Sequence, residues 1–304
     1  MTSPRLNFST ICLLTLPPFL WAGNAIVGRL VHDLVPPMTL NFLRWAIAFL
    51  ILLPLAGSVL RPSSGMWAHW RRFALLGLLG VGMYNALQYL ALRSSTPINV
   101  TLVAAGMPVW MLLTGRLFFS APIYARQVAG ALISIAGVLI VLCRGEWTAL
   151  SSLRLVAGDV LMIVATICWS IYSWLLTRRD EPVDIRRDWA RFLLAQVAFG
   201  LLWSGLSTAV EWGITRPQIV WSGALLVALL FVGIGPALLA YRCWGAGVQR
   251  VGPTLAAIFS NLTPLFAAVM SSAFLHETPQ PFHAMAFLLI AAGILLSATG
   301  SARR

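Results

Sequence analysis

Amide, hydroxyl and aromatic side chains interrupt several of the long apolar stretches of this chain. Polar groups at the depth of a lipid bilayer are costly, so each needs a partner, a cavity or a route to the surface. Tyr84, Asn85 and Gln88 stand at spacings of one, three and four, which places them on one helical face. Amides and hydroxyls suit the polar ends of a zwitterion, and aromatic rings suit its side chain. We therefore expect a substrate site lined by Asn24, Tyr84, Asn85, Gln88, Trp169, Tyr172, Tyr241 and Asn261.

The same residues allow a second interpretation. Asn, Gln and Ser commonly form hydrogen bonds between membrane helices, so each of them can hold helices together instead of binding a substrate. Trp110 lies in the middle of an apolar stretch, close to Pro108, and is a further candidate for the site. Its alternative is helix packing. Both interpretations stay open for every residue of this set.

One arginine lies about two helical turns inside the second apolar stretch. Arg44 can offer a positive field or a bidentate grip to a substrate carboxylate. A structural or gating contact is the first alternative, and snorkelling of its long stem to the outer interface is the second. Arg191 and Arg242 stand closer to predicted cytoplasmic span ends, where snorkelling is the expected behaviour.

The composition indicates that membrane helices must position these residues. The chain has 304 residues, of which 59% are hydrophobic and only 10% are charged, and its mean hydropathy is +0.85. A soluble chain carries about a quarter charged residues. Apolar segments long enough to span a bilayer recur along the chain, whereas the alternating segments of a membrane barrel do not. The sequence therefore predicts an all-α membrane protein.

Ten transmembrane helices are predicted. Their boundaries lie near residues 9–31, 36–58, 71–92, 98–119, 124–143, 155–177, 189–210, 219–241, 254–274 and 281–299. The first is expected to be retained, because no small-residue cleavage site of a signal peptide follows it. All 21 basic residues are arginines, and with an inner N-terminus 13 lie in inner segments and 5 in outer ones. The positive-inside rule then places both termini in the cytoplasm.

The chain also repeats itself. A shift of 156 residues superposes the third to fifth spans on the eighth to tenth without a gap. Matched pairs under this shift are Pro97 with Pro253, Pro108 with Pro264, and Gly137 with Gly293. Residues 1–150 and 151–304 are thus predicted to form two five-helix repeats around a central cavity. Because five is odd, the second repeat is inverted, an arrangement typical of transporters with a site near the bilayer midplane.

Several features of the sequence carry a resemblance to a known family. They are the stretch Trp21-Ala22-Gly23-Asn24, Arg44, Pro108 and Pro264, Leu275-His276-Glu277, and the spans of Gly137 and Gly293. In this paired arrangement, the chain resembles the EamA-type proteins of the drug/metabolite transporter superfamily over nearly its whole length. The resemblance, greatest to an aromatic amino-acid exporter, implies ten helices, an inner-membrane location and efflux of amino acids or related metabolites. One departure is that the shift pairs Glu277 with Ala121, so the repeats do not end in equivalent acids.

Other classes of function find little support in the sequence. The arginines are dispersed between spans instead of forming a nucleic-acid-binding face. No nucleophile or metal motif of an intramembrane enzyme occurs, and the four cysteines lack ligand spacing, so neither catalysis nor a cofactor is expected. No carboxylate stands near a span centre, which favours uncoupled, facilitated export. Proton-coupled drug efflux is one alternative. Exchange of phosphorylated metabolites or nucleotide sugars is another, and it needs several cations in the cavity.

The sequence as a whole predicts a bacterial inner-membrane exporter. Its expected substrates are aromatic and other neutral amino acids and related metabolites, carried by alternating access. The expected partners are this small-molecule substrate and the lipid bilayer, without nucleic acid. One chain holds both repeats, so it can be complete as a monomer. Glycines and a proline in the third and eighth spans are the expected flexible points.

Overall fold

The structure confirms an all-helical membrane protein. The computed structural model describes residues 6–95, 97–143, 156–275 and 280–298, and this part of the chain contains helices and turns but no strand. In it, nine helices are long and apolar enough to cross a membrane, and a helix pair bent by 45° makes a tenth span. His276, Glu277 and the predicted repeat boundary at residues 150–151 lie outside the described residues.

The spans, numbered α1 to α10 in chain order, follow the predicted segments. They are α1 (Phe8–Leu30), α2 (Pro37–Leu60), α3 (Trp67–Ala91), α4 (Pro97–Ala105 and Met107–Phe119), α5 (Ala125–Leu142), α6 (Ala157–Leu175), α7 (Trp189–Thr215), α8 (Gly223–Val251), α9 (Pro253–Ser260 and Leu262–Leu275) and α10 (Pro281–Ala298). The breaks in α4 and α9 come shortly before Pro108 and Pro264. Proline lacks the backbone N–H and clashes with the preceding turn, which accounts for both breaks.

The predicted end of the eighth span, near residue 241, is wrong. The helix α8 continues to Val251. Arg242, the residue after the predicted end, lies exposed on the helix surface, with its guanidinium carbon 4.4 Å from the ring centroid of Trp189. Because the charge leaves the helix sideways over an aromatic ring, it does not interrupt the backbone.

The two halves repeat the same sequence of elements. A π-helical segment runs over Gly77–Met83 in α3 and over Gly233–Leu239 in α8, at the predicted shift of 156 residues. The bounds of α5 and α10 differ by the same shift. Turns of π-helix are rare and occur often at functional sites. Because they lie at equivalent positions, the middle of α3 and the middle of α8 are candidate parts of a functional site.

Packing between the spans is symmetric. The spans α2 and α7, which are equivalent in the two repeats, pack against each other, and so do α5 and α10. Similarly, α3 packs against α6 and α7, while its counterpart α8 packs against α1 and α2. Each span therefore contacts the repeat to which it does not belong, as a two-fold relation between the repeats requires. The interface between repeats forms the centre of the molecule.

The π-helical segment of α3 crosses α7 at very short range. A Cβ atom placed on Gly77 would lie 2.6 Å from the carbonyl oxygen of Gln196 and 2.7 Å from the backbone nitrogen of Gly200. In turn, a Cβ atom on Gly200 would lie 2.4 Å from a methyl carbon of Val81. Small residues let membrane helices approach this closely. Gly77, which was expected to be a flexible point, therefore has a packing role, and so does Gly200.

We expect Gly77→Ala to destabilise the protein. The added methyl group meets backbone atoms of α7 that cannot rotate away, so the helices must separate at a cost of about 1–3 kcal/mol. Gly213→Ala on α7 is the matched control, because a Cβ atom there meets nothing within 4 Å. Thermal unfolding of the purified protein in detergent measures the difference. Equal melting temperatures for the two variants would contradict a tight α3–α7 crossing.

Buried carboxylates hold the helix ends together. Glu211 of α7 accepts hydrogen bonds from the backbone nitrogens of Met38 and Thr39 at 3.1 Å and 3.0 Å, at the first turn of α2. Asp159, at the start of α6, accepts from the Ser95 hydroxyl and from the Asn99 amide. A negative charge near a helix N-terminus is stabilised by the helix dipole. Both acids are thus satisfied by structural contacts.

Candidate functional site

Aromatic rings from five spans and both repeats meet in the interior. We call this group the aromatic cluster; its members are Trp21 of α1, Trp45 of α2, Tyr84 of α3, Trp169 and Tyr172 of α6, and Tyr241 and Trp244 of α8. Trp169 is its hub. Its ring centroid lies 5.4 Å from that of Trp21, 5.1 Å from Tyr84, 5.1 Å from Tyr172, 5.4 Å from Tyr241 and 5.6 Å from Trp244. The ring centroid of Trp45 lies 4.8 Å from that of Tyr241, and this contact includes Trp45 in the cluster.

Local spacing explains why these rings come together. Trp169 and Tyr172 stand three residues apart on α6, and Tyr241 and Trp244 stand three apart on α8, so each pair shares a helical face. Tilted and edge-to-face ring pairs at these distances each contribute about 0.5–1.5 kcal/mol beyond burial. The faces of α6 and α8 that carry the rings therefore stabilise the contact between them.

The polar tips of the cluster are bonded to the spans around it. The Tyr172 hydroxyl donates to Gln196 Oε1 at 3.0 Å. The Trp244 indole N–H donates to Ser173 Oγ at 3.1 Å. Tyr241 donates to the carbonyl oxygen of Gly80, inside the π-helical segment of α3. Since a π-helical turn alters the regular hydrogen-bond pattern of the backbone, it leaves a carbonyl for a partner from the opposite repeat.

Arg44 lies at the edge of the aromatic cluster. Only 2% of the residue is exposed, so the snorkelling alternative is wrong. Its guanidinium carbon lies 5.2 Å from the ring centroid of Trp45, and its Nη1 atom reaches Asn24 Oδ1 at 3.5 Å, the outer limit of a hydrogen bond. Among the described residues, no carboxylate lies within ion-pair distance of it. The Nε atom of this buried guanidinium has no hydrogen-bond partner, so it has a donor free for an anion.

Several residues keep accessible surface beside the buried rings. Trp21, Asn24, Tyr84 and Gln88 are half-buried, although Trp21 and Tyr84 pack directly against Trp169. Asn85 is buried close to the Tyr241 hydroxyl, its counterpart in the other repeat. The arrangement combines accessible amides and ring faces with one buried cation. It can hold a molecule that has both an apolar ring and a polar, charged end.

Two predicted residues stand apart from this group. Asn261 is buried at the break of α9 and donates to Ser134 Oγ of α5 at 2.9 Å, an interhelical hydrogen bond of the kind the second interpretation expects. Trp110 is half-buried beside the break of α4, and within the described residues its ring contacts no ring of the aromatic cluster. The structure therefore joins seven of the other eight predicted residues, with Gln88 one helical turn beyond Tyr84 and Asn85, and leaves these two at the helix breaks.

The group also contains four residues that were not predicted for the site: Trp21, Trp45, Trp244 and Gln196. Trp244 was placed outside the membrane because the eighth span was predicted to be too short. Its spacing of three from Tyr241 is a signal that a longer span would have revealed. Trp45 directly follows Arg44, and 0% of its surface is exposed. Gln196 gave no signal, because its partner Tyr172 lies on another span.

A cluster of metal-ligating side chains does not occur in the described part of the chain. In the parts of the chain that the structure describes, no three His, Cys, Asp or Glu side chains come together as a metal site would require. The buried carboxylates lie at helix ends, away from the aromatic cluster.

The inverted five-helix repeats and the site between them define a membrane transporter. A comparison with known families then gives the family itself. The chain belongs to the EamA-like transporter family, whose profile matches twice, over residues 8–143 and 156–299. The two matches correspond to the two repeats. The protein is therefore a multi-pass membrane transporter of small molecules and not an enzyme.

Individual relatives agree with this assignment. An uncharacterised transporter of Archaeoglobus fulgidus is 29% identical over 96% of this chain and 98% of its own length. The aromatic amino acid exporter YddG of Ancylobacter novellus is 28% identical over 81% of this chain and 80% of its own. A probable amino-acid metabolite efflux pump of Salmonella typhimurium is 24% identical over 92% of this chain and 91% of its own length. A solved crystal structure shares the fold, with a TM-score of 0.73 and 22% identity. The match covers 95% of this chain and 96% of that one.

Proposed function

We propose that this transporter exports amino acids, aromatic and other neutral ones, together with related metabolites. The observation that carries the proposal is the aromatic cluster, built by both repeats, with the partly unpaired Arg44 at its edge. A ring suits the side chain of the substrate, and a guanidinium suits its carboxylate. Two of the relatives are named for amino-acid or amino-acid-metabolite export.

Alternating access is the proposed mechanism, with both termini in the cytoplasm of a bacterial inner membrane. The repeats would rock around the cluster, so that the site opens to one side at a time. The matching π-helical segments of α3 and α8 support this proposal, because both lie where the repeats meet. The Tyr241 hydroxyl bonds one repeat to the π-helical segment of the other, and this contact would change during the motion.

Transport is proposed to be uncoupled from protons. Proton-driven carriers place ionisable side chains along the substrate path. In the described residues, the buried acids Asp159, Glu181 and Glu211 are all held by hydrogen bonds or ion pairs at helix ends. The exchange of phosphorylated metabolites is less well supported, since Arg44 is the only arginine classed as buried in the described part of the chain.

Counterflow in proteoliposomes with only the purified protein tests this proposal. Radiolabelled phenylalanine, methionine, threonine and a sugar phosphate are offered separately, without an ion gradient. We expect uptake of the amino acids, at a rate that a protonophore does not change. Liposomes without protein provide the background. Uptake of the sugar phosphate alone would assign an exchanger instead, and strict dependence on a proton gradient would overturn the uncoupled mechanism.

A further inference from the structure

Three neighbouring residues of α2 carry buried polar atoms that lack a hydrogen-bond partner. The atoms are Asn41 Oδ1, Arg44 Nε and Trp45 Nε1. The side chains are buried almost completely, with 1%, 2% and 0% of the residue exposed. Buried polar atoms are nearly always paired in folded proteins, so a group of three within five residues needs an explanation.

The three residues point to one place. Spacings of three and four put Asn41, Arg44 and Trp45 on the same face of α2. That face belongs to the edge of the aromatic cluster, because the Trp45 ring lies 4.8 Å from the ring of Tyr241. The guanidinium carbon of Arg44 lies 5.2 Å from the Trp45 ring. Arg44 and Trp45 thus border the aromatic cluster, and Asn41 lies one turn away on the same face of α2.

Their chemistry is that of an amino-acid head group. Arg44 Nε and Trp45 Nε1 are donors, and Asn41 Oδ1 is an acceptor. A carboxylate needs donors, and an ammonium group needs an acceptor. An ionised phosphate group would also accept from Arg44 and Trp45, but it has no donor for Asn41 Oδ1. The set of two donors and one acceptor therefore favours a zwitterion over a phosphate ester.

We propose that Asn41, Arg44 and Trp45 form the site that binds the α-carboxylate and α-ammonium groups of the substrate. The carboxylate accepts hydrogen bonds from Arg44 Nε and Trp45 Nε1, and the ammonium group donates to Asn41 Oδ1. The substrate side chain extends towards the aromatic cluster. This assignment rests on the proposed function and adds to it a requirement that both charged groups of the amino acid be present.

Competition in the counterflow assay tests the assignment. Labelled phenylalanine competes with unlabelled phenylalanine, with phenethylamine, which lacks the carboxylate, and with 3-phenylpropionate, which lacks the ammonium group. For the wild-type protein, we expect phenylalanine to compete at least about ten-fold better than either analogue, because a missing charged group leaves buried site atoms unpaired. Ratios between competitors on one preparation do not depend on how much of the protein is folded.

Conservative variants then assign each contact. Trp45→Phe keeps an aromatic ring and removes the indole N–H. We therefore expect the apparent affinity for phenylalanine to fall about ten-fold, while that for phenethylamine stays unchanged. Asn41→Leu keeps the size of the side chain and removes the amide. It should weaken the binding of phenylalanine but not that of 3-phenylpropionate. Trp67→Phe, whose exposed indole bonds only to the Leu60 carbonyl, is the control. Wild-type ratios in both site variants would overturn the head-group site alone, whereas a wild-type protein that carries no amino acid would overturn the proposed function with it.

Discussion

Arg72→Ala is expected to lower the free energy of unfolding by about 3–5 kcal/mol, because it leaves a buried carboxylate without its cation. Arg72 Nε lies 2.7 Å from Glu181 Oε2, and the two side chains are only 10% and 2% exposed. The contact is an ion pair without the alignment of a hydrogen bond. The same guanidinium donates from Nη2 to the carbonyl oxygens of Leu175 and Arg178 at 3.1 Å and 3.0 Å. One side chain thus ties the start of α3 to the end of α6 and the loop that follows.

Two further variants separate the charge from the packing. The double variant Arg72→Met/Glu181→Leu removes both charges and should recover much of the lost stability. Asp180 is also an ion-pair partner of Arg72, at 3.4 Å, but its side chain is 62% exposed. The free energy of unfolding of Asp180→Asn should therefore be close to that of the wild type. Unfolding of the purified variants in detergent, followed by circular dichroism, gives the comparison. If Arg72→Ala and Asp180→Asn unfold alike, the buried pair does not hold α3 to α6.

The spans could be predicted because crossing a bilayer requires only local properties, namely length and apolarity. The repeat could be predicted because a fixed shift preserves prolines and glycines, which impose the same backbone geometry in both halves. Pro108 and Pro264 each stand shortly after a helix break. The end of α8 was predicted about ten residues too early, because the helix continues past Arg242 to Val251. The charge of Arg242 leaves the helix sideways over the Trp189 ring.

Contacts between distant spans could not be predicted in this way. Glu211 and Thr39 are 172 residues apart, and no pattern within either span indicates that they bond. For the candidate site, Trp169 and Tyr172 were both expected from one polar, aromatic stretch of a single span, and their rings are in contact. Asn261 looked equivalent to Asn24 from depth alone, but its surroundings differ: Asn261 bonds to Ser134, and Asn24 faces Arg44. The role of a polar residue in a span depends on the partner that the fold supplies.

Trp169→Ala is expected to reduce kcat/KM for phenylalanine by about 30–100-fold. The indole contacts five other rings, and truncation of a buried Trp to Ala removes about 3–5 kcal/mol of packing. Trp21 and Tyr84, the half-buried rings on either side, both rest on it. Without the hub, neither ring keeps its position towards a bound substrate, so about 2–3 kcal/mol of substrate contact is lost as well.

A loss of folded protein would imitate this result, so selectivity is the measurement that decides. Trp169→Leu fills more of the space, and the ratio of phenylalanine to threonine uptake on one preparation does not depend on the folded amount. We expect this ratio to fall about ten-fold in Trp169→Leu, since ring contacts favour only the aromatic substrate. Trp221→Leu, exposed by 59% just before α8, should keep the wild-type ratio. An unchanged ratio in Trp169→Leu would make the aromatic cluster a packing core and would move the substrate side chain elsewhere.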